Sequence, residues 1–123
     1  MIRGIKFVGI PVRDQDRALK FYTEQLGFEI ATDQAMGPGQ RWIELAIPGA
    51  DTGLALFTPS GHERRIGEFQ SISFWCSDVH ATHAALKKKG VRFKQEPTRE
   101  DWGTMAVFQD PDGNEFVLGS KRA

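Results

Sequence analysis

The same order of strand-like and helix-like sequence patterns occurs twice along this chain of 123 residues. In each copy an alternating apolar strand is followed by an aspartate placed to cap a helix, Asp14 or Asp78. The helix ends at a glycine, Gly27 or Gly90, and three more strands follow it. The copies are offset by about 64 residues, which is too long for a solenoid repeat. The pattern therefore predicts two modules, each ordered strand, helix, strand, strand, strand.

The predicted strands and turns set the boundaries of these modules. Strands are expected at 5–12, 28–32, 41–47 and 53–58 in the first copy, and at 71–77, 91–94, 104–108 and 115–119 in the second. A tight turn at 110–114 leads into the last strand, because Asp, Pro, Gly and Asn are typical turn residues. We expect a single domain 1–123 with a first module at about 1–58, a linker at 59–69 and a second module at about 70–121.

Composition excludes several classes of function. Sixteen basic and sixteen acidic residues cancel, so no global field favours nucleic acid or an anionic membrane. The start of the chain lacks the apolar core of a signal peptide, and no stretch approaches the roughly 20 apolar residues of a membrane span. The single cysteine, Cys76, excludes an internal disulfide and suits a reducing compartment. We therefore expect a cytoplasmic protein.

Strand alternation predicts an open sheet face in each module. The helix can cover only one face of its sheet, and if the two sheets curl toward each other the remaining faces enclose a cup. The residues assigned to those faces are Phe7, Gly9, Trp42, Glu44, Ala55, Phe57, Ser71, Ser73, Trp75, Glu115 and Val117. Aromatic walls with a few polar groups are typical of a small-molecule site.

Several motifs resemble those of a known superfamily. They are the segments 8–14, 17–22 and 26–28, and then Trp102-Gly103 leading into the turn 110–114. In order and spacing they are similar to the vicinal oxygen chelate superfamily, which includes glyoxalases, bleomycin-resistance proteins and extradiol dioxygenases. The resemblance implies an α+β fold in which two βαβββ modules form a cupped mixed sheet with one helix per module. It also implies a homodimer.

The same resemblance indicates where a metal would bind. Metal-dependent members carry His or Gln on the first strand, Glu on the fourth, His on the fifth and Glu on the eighth. The matching positions here are Phe7, Ala55, Ser71 and Val117. Two hydrocarbons and a phenyl ring offer no lone pair, and a neutral hydroxyl alone binds a divalent ion weakly. Glu115 lies two residues before the last position and does not restore the set, so we expect no metal and no cofactor.

Three further residues carry the functional alternatives. Glu44, if enclosed among aromatic rings, could act as a general base or pair with a cationic ligand; otherwise it reaches solvent or pairs with a basic side chain such as Arg41. Trp102 matches a position that lies near the drug in bleomycin-resistance members. Cys76 is predicted to face the helix, so no nucleophile is evident.

His80 and His83 stand three residues apart on the second helix, but no further ligand accompanies them. We interpret them as surface or core-edge residues.

Two functions remain open at this point, beside the possibility that the cup is filled by its own side chains and the dimer is the functional unit. The first is a metal-free, bleomycin-resistance-like protein that binds a small flat or amphiphilic molecule through Phe7, Trp42, Phe57, Ser71, Ser73, Trp75, Trp102 and Glu115. The second is a glyoxalase- or dioxygenase-like enzyme, a lyase or oxidoreductase, with displaced metal ligands or with Glu44 as general base.

Overall fold

The computed structural model describes residues 1–121, and these fall into two compact units. The N-terminal unit is Met1–Glu63, and the C-terminal unit begins at Arg64. Each holds one four-stranded mixed sheet, with strand orders β1-β4-β3-β2 and β5-β8-β7-β6. Since each unit also carries one of the two main helices, the α+β prediction of two βαβββ modules is confirmed.

The elements follow one another in the predicted order. The N-terminal unit contains β1 (Phe7–Pro11), α1 (Gln15–Lys20), β2 (Glu29–Ala35), β3 (Arg41–Ala46) and β4 (Gly53–Phe57). A 3-10 turn (Glu63–Arg65) spans the boundary between the units. The C-terminal unit then contains β5 (Phe69–Cys76), α2 (Val79–Lys88), β6 (Arg92–Glu100), β7 (Gly103–Gln109) and β8 (Glu115–Ser120). No helix within residues 1–121 has the length and apolar character needed to cross a membrane.

Both predicted helix caps form. The Asp14 carboxylate accepts a hydrogen bond from the Arg17 amide at 3.1 Å, and Asp78 accepts one from the Ala81 amide at 3.0 Å. Helix α1 continues as a π-helical segment, Phe21–Gln25, before Gly27 ends it with a φ of +80°.

The core of each unit lies between its helix and one face of its sheet. In the N-terminal unit the fully buried residues include Ile10, Val12, Tyr22, Ile43, Leu45, Leu54 and Leu56. In the C-terminal unit Phe74, Phe108 and Phe116 form a ring cluster with centroids 5.4–5.8 Å apart. These residues alternate along their strands with the open-face positions, so the open face of each sheet lies opposite this core.

Two strands run further than the sequence predicted. Strand β2 extends to Ala35 and β6 to Glu100, because each pairs along its length with the following strand. Pro97 lies within β6, although proline cannot donate to a strand ladder. Strand β6 is an edge strand, where proline is tolerated, and its register is irregular between Gln95 and Thr98.

The turn 110–114 is held by a buried network. Asp110 is 1% exposed, and its Oδ1 accepts from the amides of Asp112 and Asn114 at 2.9 and 3.0 Å. Asn114 is fully buried; its Nδ2 donates to Asp110 Oδ2 at 2.8 Å, and its Oδ1 accepts from the Gly67 amide and from Gln70 Nε2. The turn therefore fixes the start of β8 against the start of β5.

Candidate functional site: two aromatic sheet faces

The open face of the N-terminal sheet carries three aromatic rings. Phe7 and Trp42 meet edge to face, with ring centroids 5.5 Å apart and planes at 70°. Phe57 lies over Gly9: a Cβ built on Gly9 would stand only 2.9 Å from Phe57 Cε1. The absence of a side chain at Gly9 thus lets the Phe57 ring pack on β1. The register, with Gly9 paired to Ala55 and Ala55 to Glu44, places these residues on one face of the sheet.

Glu44 lies on this same face, beside Trp42. Trp42 Nε1 donates to Glu44 Oε1 at 3.0 Å, so the carboxylate has an indole partner. Arg41 binds elsewhere: its guanidinium forms a bidentate pair with Asp33, at 2.7 and 2.8 Å, and also contacts Asp16. These bonds hold the pKa of Asp33 below its ordinary value. The pairing of Glu44 with Arg41, one of the alternatives drawn from the sequence, is therefore not formed: Glu44 pairs with Trp42 and Arg41 with Asp33.

The open face of the C-terminal sheet carries two exposed indoles. Trp75 is 62% and Trp102 is 50% exposed, which is unusual for such large apolar side chains. Both line one cavity of about 320 Å³, together with Ser73, Phe74, Val117, Gly119, Ser120 and Lys121. Ser73 of β5 stands opposite Val117 of β8, and Trp75 opposite Gly119. The structure thus brings Ser73, Trp75, Trp102 and Val117 to one concave surface.

Ser71 occupies an irregular segment of β5. Its φ is +57°, the only positive φ of a non-glycine residue among residues 1–121. Phe69 pairs with Glu115 and Ser73 with Val117. A step of four residues along β5 is therefore paired with a step of two residues along β8, which is a bulge. Ser71 is exposed and borders a second, polar cavity beside Arg64 and Arg65. It is therefore separated from the cavity that holds Ser73 and Trp75.

Glu115 is already engaged by basic and amide groups. Its Oε2 accepts from Lys94 Nζ at 2.9 Å and from Gln109 Nε2 at 3.3 Å. It starts β8, where it neighbours Phe69 of β5. Glu115 therefore lies at the N-terminal end of β8, and it does not line the cavity with Trp75.

The four metal positions suggested by the family resemblance do not fit a metal ion. Ala55 is 2% exposed beneath the N-terminal open face, Phe7 presents its ring to Trp42, and Val117 lines the aromatic cavity. Within residues 1–121 no three His, Cys, Asp or Glu side chains are grouped so that they could hold an ion. The donor set is thus one hydroxyl, that of Ser71, with no charged or imidazole partner.

The helix histidines do not form a site together. His83 is partly buried against Phe93, with ring centroids 4.5 Å apart, and its Nε2 contacts the Glu96 carboxylate. His80 is exposed on the same helix. This placement agrees with their interpretation as surface and core-edge residues.

Sequence reasoning missed four residues that border the C-terminal cavity: Phe74, Gly119, Ser120 and Lys121. A signal for two of them was present, because positions 115, 117, 119 and 121 alternate onto one face of β8 and its continuation. The prediction stopped at Val117, where the family resemblance placed a ligand.

Comparison with known proteins agrees with this architecture. A family model described as Glyoxalase/Bleomycin resistance protein/Dioxygenase superfamily matches residues 4–118. The chain is 41% identical over 118 residues to the protein YetH of Bacillus subtilis (strain 168), covering 96% of this chain and 98% of that one.

Solved structures extend the similarity to three dimensions. A superfamily member from Sphaerobacter thermophilus DSM 20745 is 35% identical with a TM-score of 0.89, covering 98% of both chains. TnmS3, an antibiotic binding protein from Streptomyces sp. CB03234, is 35% identical with a TM-score of 0.82, covering 97% of this chain and 96% of that chain. The chain therefore belongs to the glyoxalase/bleomycin resistance protein/dioxygenase superfamily, also called the vicinal oxygen chelate superfamily.

Proposed function

We propose that this protein is a metal-free, bleomycin-resistance-like small-molecule-binding member of its superfamily. It holds a flat or amphiphilic guest against the aromatic sheet faces by stacking and by burial of apolar surface. The residues that carry this role are Trp42, Phe7 and Phe57 in the N-terminal unit and Trp75, Trp102 and Ser73 in the C-terminal unit.

The exposure of the two C-terminal indoles is the observation that supports this proposal best. Trp75 and Trp102 leave at least half of their surfaces in solvent although a core of phenylalanines lies on the other side of the same sheet. Exposed aromatic surface at a concavity marks a binding site more often than a structural contact. The similarity to an antibiotic binding protein points in the same direction.

The donor chemistry of the open faces supports a guest held without an ion. Carbon occupies three of the four positions that metal-dependent relatives fill with ligands, and Glu44 is satisfied by the Trp42 indole. Affinity then comes from ring contacts, which contribute about 1 kcal/mol per well-placed aromatic pair beyond area burial.

The test is a titration with Nile red, a neutral planar dye whose emission rises in apolar sites. We expect saturable binding with a stoichiometry of one dye molecule per aromatic sheet face. Trp42→Ala and Trp75→Ala should each weaken binding by roughly tenfold, the loss of about 1.4 kcal/mol of stacking and burial.

Ile30→Ala is the matched control for these variants. Ile30 is also a large, exposed apolar residue, at 52%, but it pairs with the core residue Leu45 and so lies on the other face of its sheet. Its replacement should leave Nile red affinity unchanged. Wild-type affinity in both tryptophan variants, with circular dichroism showing an intact fold, would contradict the proposal.

A further inference from the structure

The cavity of the C-terminal unit has a charge character as well as an aromatic one. Among the described residues that line it, Lys121 alone is charged. Ser73 adds a hydroxyl group on this face, where Trp75, Trp102, Val117 and Gly119 supply indole, aliphatic and backbone surface. Phe74 and Ser120 also border the cavity, but strand alternation places their side chains on the core side of the sheet. A guest in this cavity therefore meets one positive charge and no carboxylate in the wall.

Gly119 lines the cavity and adds no side chain to it. Trp75 stands directly opposite Gly119 across β5 and β8, and a Cβ built on Gly119 would lie 3.8 Å from Trp102 Cζ3. Strand β8 lies between β5, which carries Trp75, and β7, which Trp102 precedes. Gly119 thus lies between the strand that carries Trp75 and the strand that Trp102 precedes, and it adds no side chain to the cavity that the two indoles line.

Lys121 lies over the ring of Trp75, so its ammonium group borders the surface on which a guest ring would stack. Its Nζ stands 4.6 Å from the centroid of the Trp75 ring. A ring stacked on Trp75 would bring an attached carboxylate, sulfonate or phenolate within reach of this ammonium group.

We propose that this cavity selects planar fused-ring aromatic molecules that carry an anionic substituent, with the rings against Trp75 and Trp102 and the anion on Lys121. This inference rests on the proposed function, because it names the class of guest for one of the two aromatic faces. A cationic analogue is disfavoured, since its charge would meet Lys121 without a carboxylate to balance it.

The experiment compares three molecules of equal shape: anthracene-2-carboxylate, the neutral anthracene-2-carboxamide and the cationic 2-(aminomethyl)anthracene. Their binding is followed by anthracene fluorescence anisotropy at low salt. We expect the carboxylate to bind about fivefold tighter than the carboxamide, the effect of one partly exposed ion pair, and the amine to bind weakest. The preference should shrink in 0.5 M NaCl, because salt at about that concentration screens charges beyond a few ångströms.

Substitutions at Lys121 isolate the charge. Lys121→Met should bring the carboxylate to the affinity of the carboxamide, whereas Lys121→Arg should keep the preference. Lys88→Met removes a lysine of α2 that does not line the cavity, and it should change neither affinity.

A variant at Gly119 tests the location. Gly119→Leu should abolish binding of all three molecules while circular dichroism stays native, because an added Cβ meets only ordinary contacts but the rest of the side chain enters the cavity. Wild-type binding by Gly119→Leu would overturn the assignment to this cavity.

The other outcomes separate this inference from the proposed function. Equal affinity for carboxylate and carboxamide would overturn the anion preference and leave a neutral aromatic site. No binding of any anthracene would also overturn the inference, while Nile red titration decides the proposed function independently.

Discussion

At the scale of single residues, Ser71 shows how the fifth strand departs from a regular ladder. A left-handed φ of +57° places its Cβ close to the carbonyl oxygen, which glycine avoids. Such strain is retained where the surrounding structure determines the conformation, here by the bulge against β8. Alternation alone could not reveal this, because a two-residue bulge preserves which residues face outward.

Relief of this strain should be measurable. Ser71→Gly is expected to raise the free energy of unfolding by about 0.5–1 kcal/mol, since the gain at a left-handed position exceeds the added entropy of the unfolded chain. Ser73→Gly, a neighbour in regular strand conformation, should lower it by a similar amount. Urea denaturation measures both, and a destabilised Ser71→Gly would show that the conformation is not strained.

The candidate site could be predicted where alternation was regular. Phe7, Trp42, Glu44 and Phe57 share a face as expected because β1, β3 and β4 pair in uninterrupted register. Glu115 and Ser71 instead lie away from the Trp75 cavity, owing to the bulge and to the ion pair with Lys94. Lys121 was not predicted because it lies just beyond the end of β8, and the alternation was not continued past Val117.

At the scale of elements, the buried turn 110–114 connects the start of β8 to the start of β5 through hydrogen bonds. Its sequence identified it as a turn, but not as a connection to Gly67 and Gln70, which are more than 40 residues away along the chain. Such long-range pairing depends on where the segment 59–69 returns to the sheet. That segment looked like a polar linker, yet its Ile66 is buried at 8% exposure.

Removal of the Asn114 hydrogen bonds should lower the free energy of unfolding by more than an ordinary polar substitution does. Asn114→Ala leaves the Gly67 amide and Asp110 Oδ2 without their buried partner, at a cost of roughly 2–4 kcal/mol. Gln34→Ala, an exposed amide on β2, should change stability by less than about 0.5 kcal/mol. Thermal and urea denaturation compare the two, and near-equal effects would contradict a structural role for the network.

Helix α2 is tied to β6 by an ion cluster that depends on pH. Glu96 accepts a hydrogen bond from Lys87 at 2.9 Å and contacts His83, and its pKa lies below the ordinary 4.5, chiefly because of the Lys87 bond. Because the folded-state pKa is lowered, the stabilisation is present above about pH 4.5 and is lost as the pH falls through the folded value.

A variant isolates this contribution. Glu96→Gln should melt below wild type at pH 7, and the difference should vanish as the pH drops below the folded pKa of Glu96. Glu100→Gln, on the same strand, serves as the control for a loss of negative charge and should not reproduce that profile. A difference that persists unchanged at pH 3 would show that packing, rather than charge, accounts for the effect.

At the scale of the whole molecule, the repeat was the strongest predictive feature. Both units have the same strand order and both helices begin at the expected aspartates, since caps and periodicity are local properties of the sequence. The ends of β2 and β6 were set by pairing with a neighbouring strand, which local patterns do not report.

We propose that the protein forms a homodimer, as its superfamily resemblance implies. Large exposed apolar residues on both units, such as Ile5 at 65% exposure in the N-terminal unit and Phe69 at 50% in the C-terminal unit, favour association. Light scattering should give about twice the chain mass of 13.8 kDa at micromolar concentration. A mass of one chain across the concentration range would contradict the dimer.

The most direct test of the central claim is the Nile red affinity of protein purified without chelator, measured before and after dialysis against EDTA. A guest held by aromatic contact alone predicts the same dissociation constant in both samples. Affinity lost with EDTA and restored by a stoichiometric divalent metal would contradict the account.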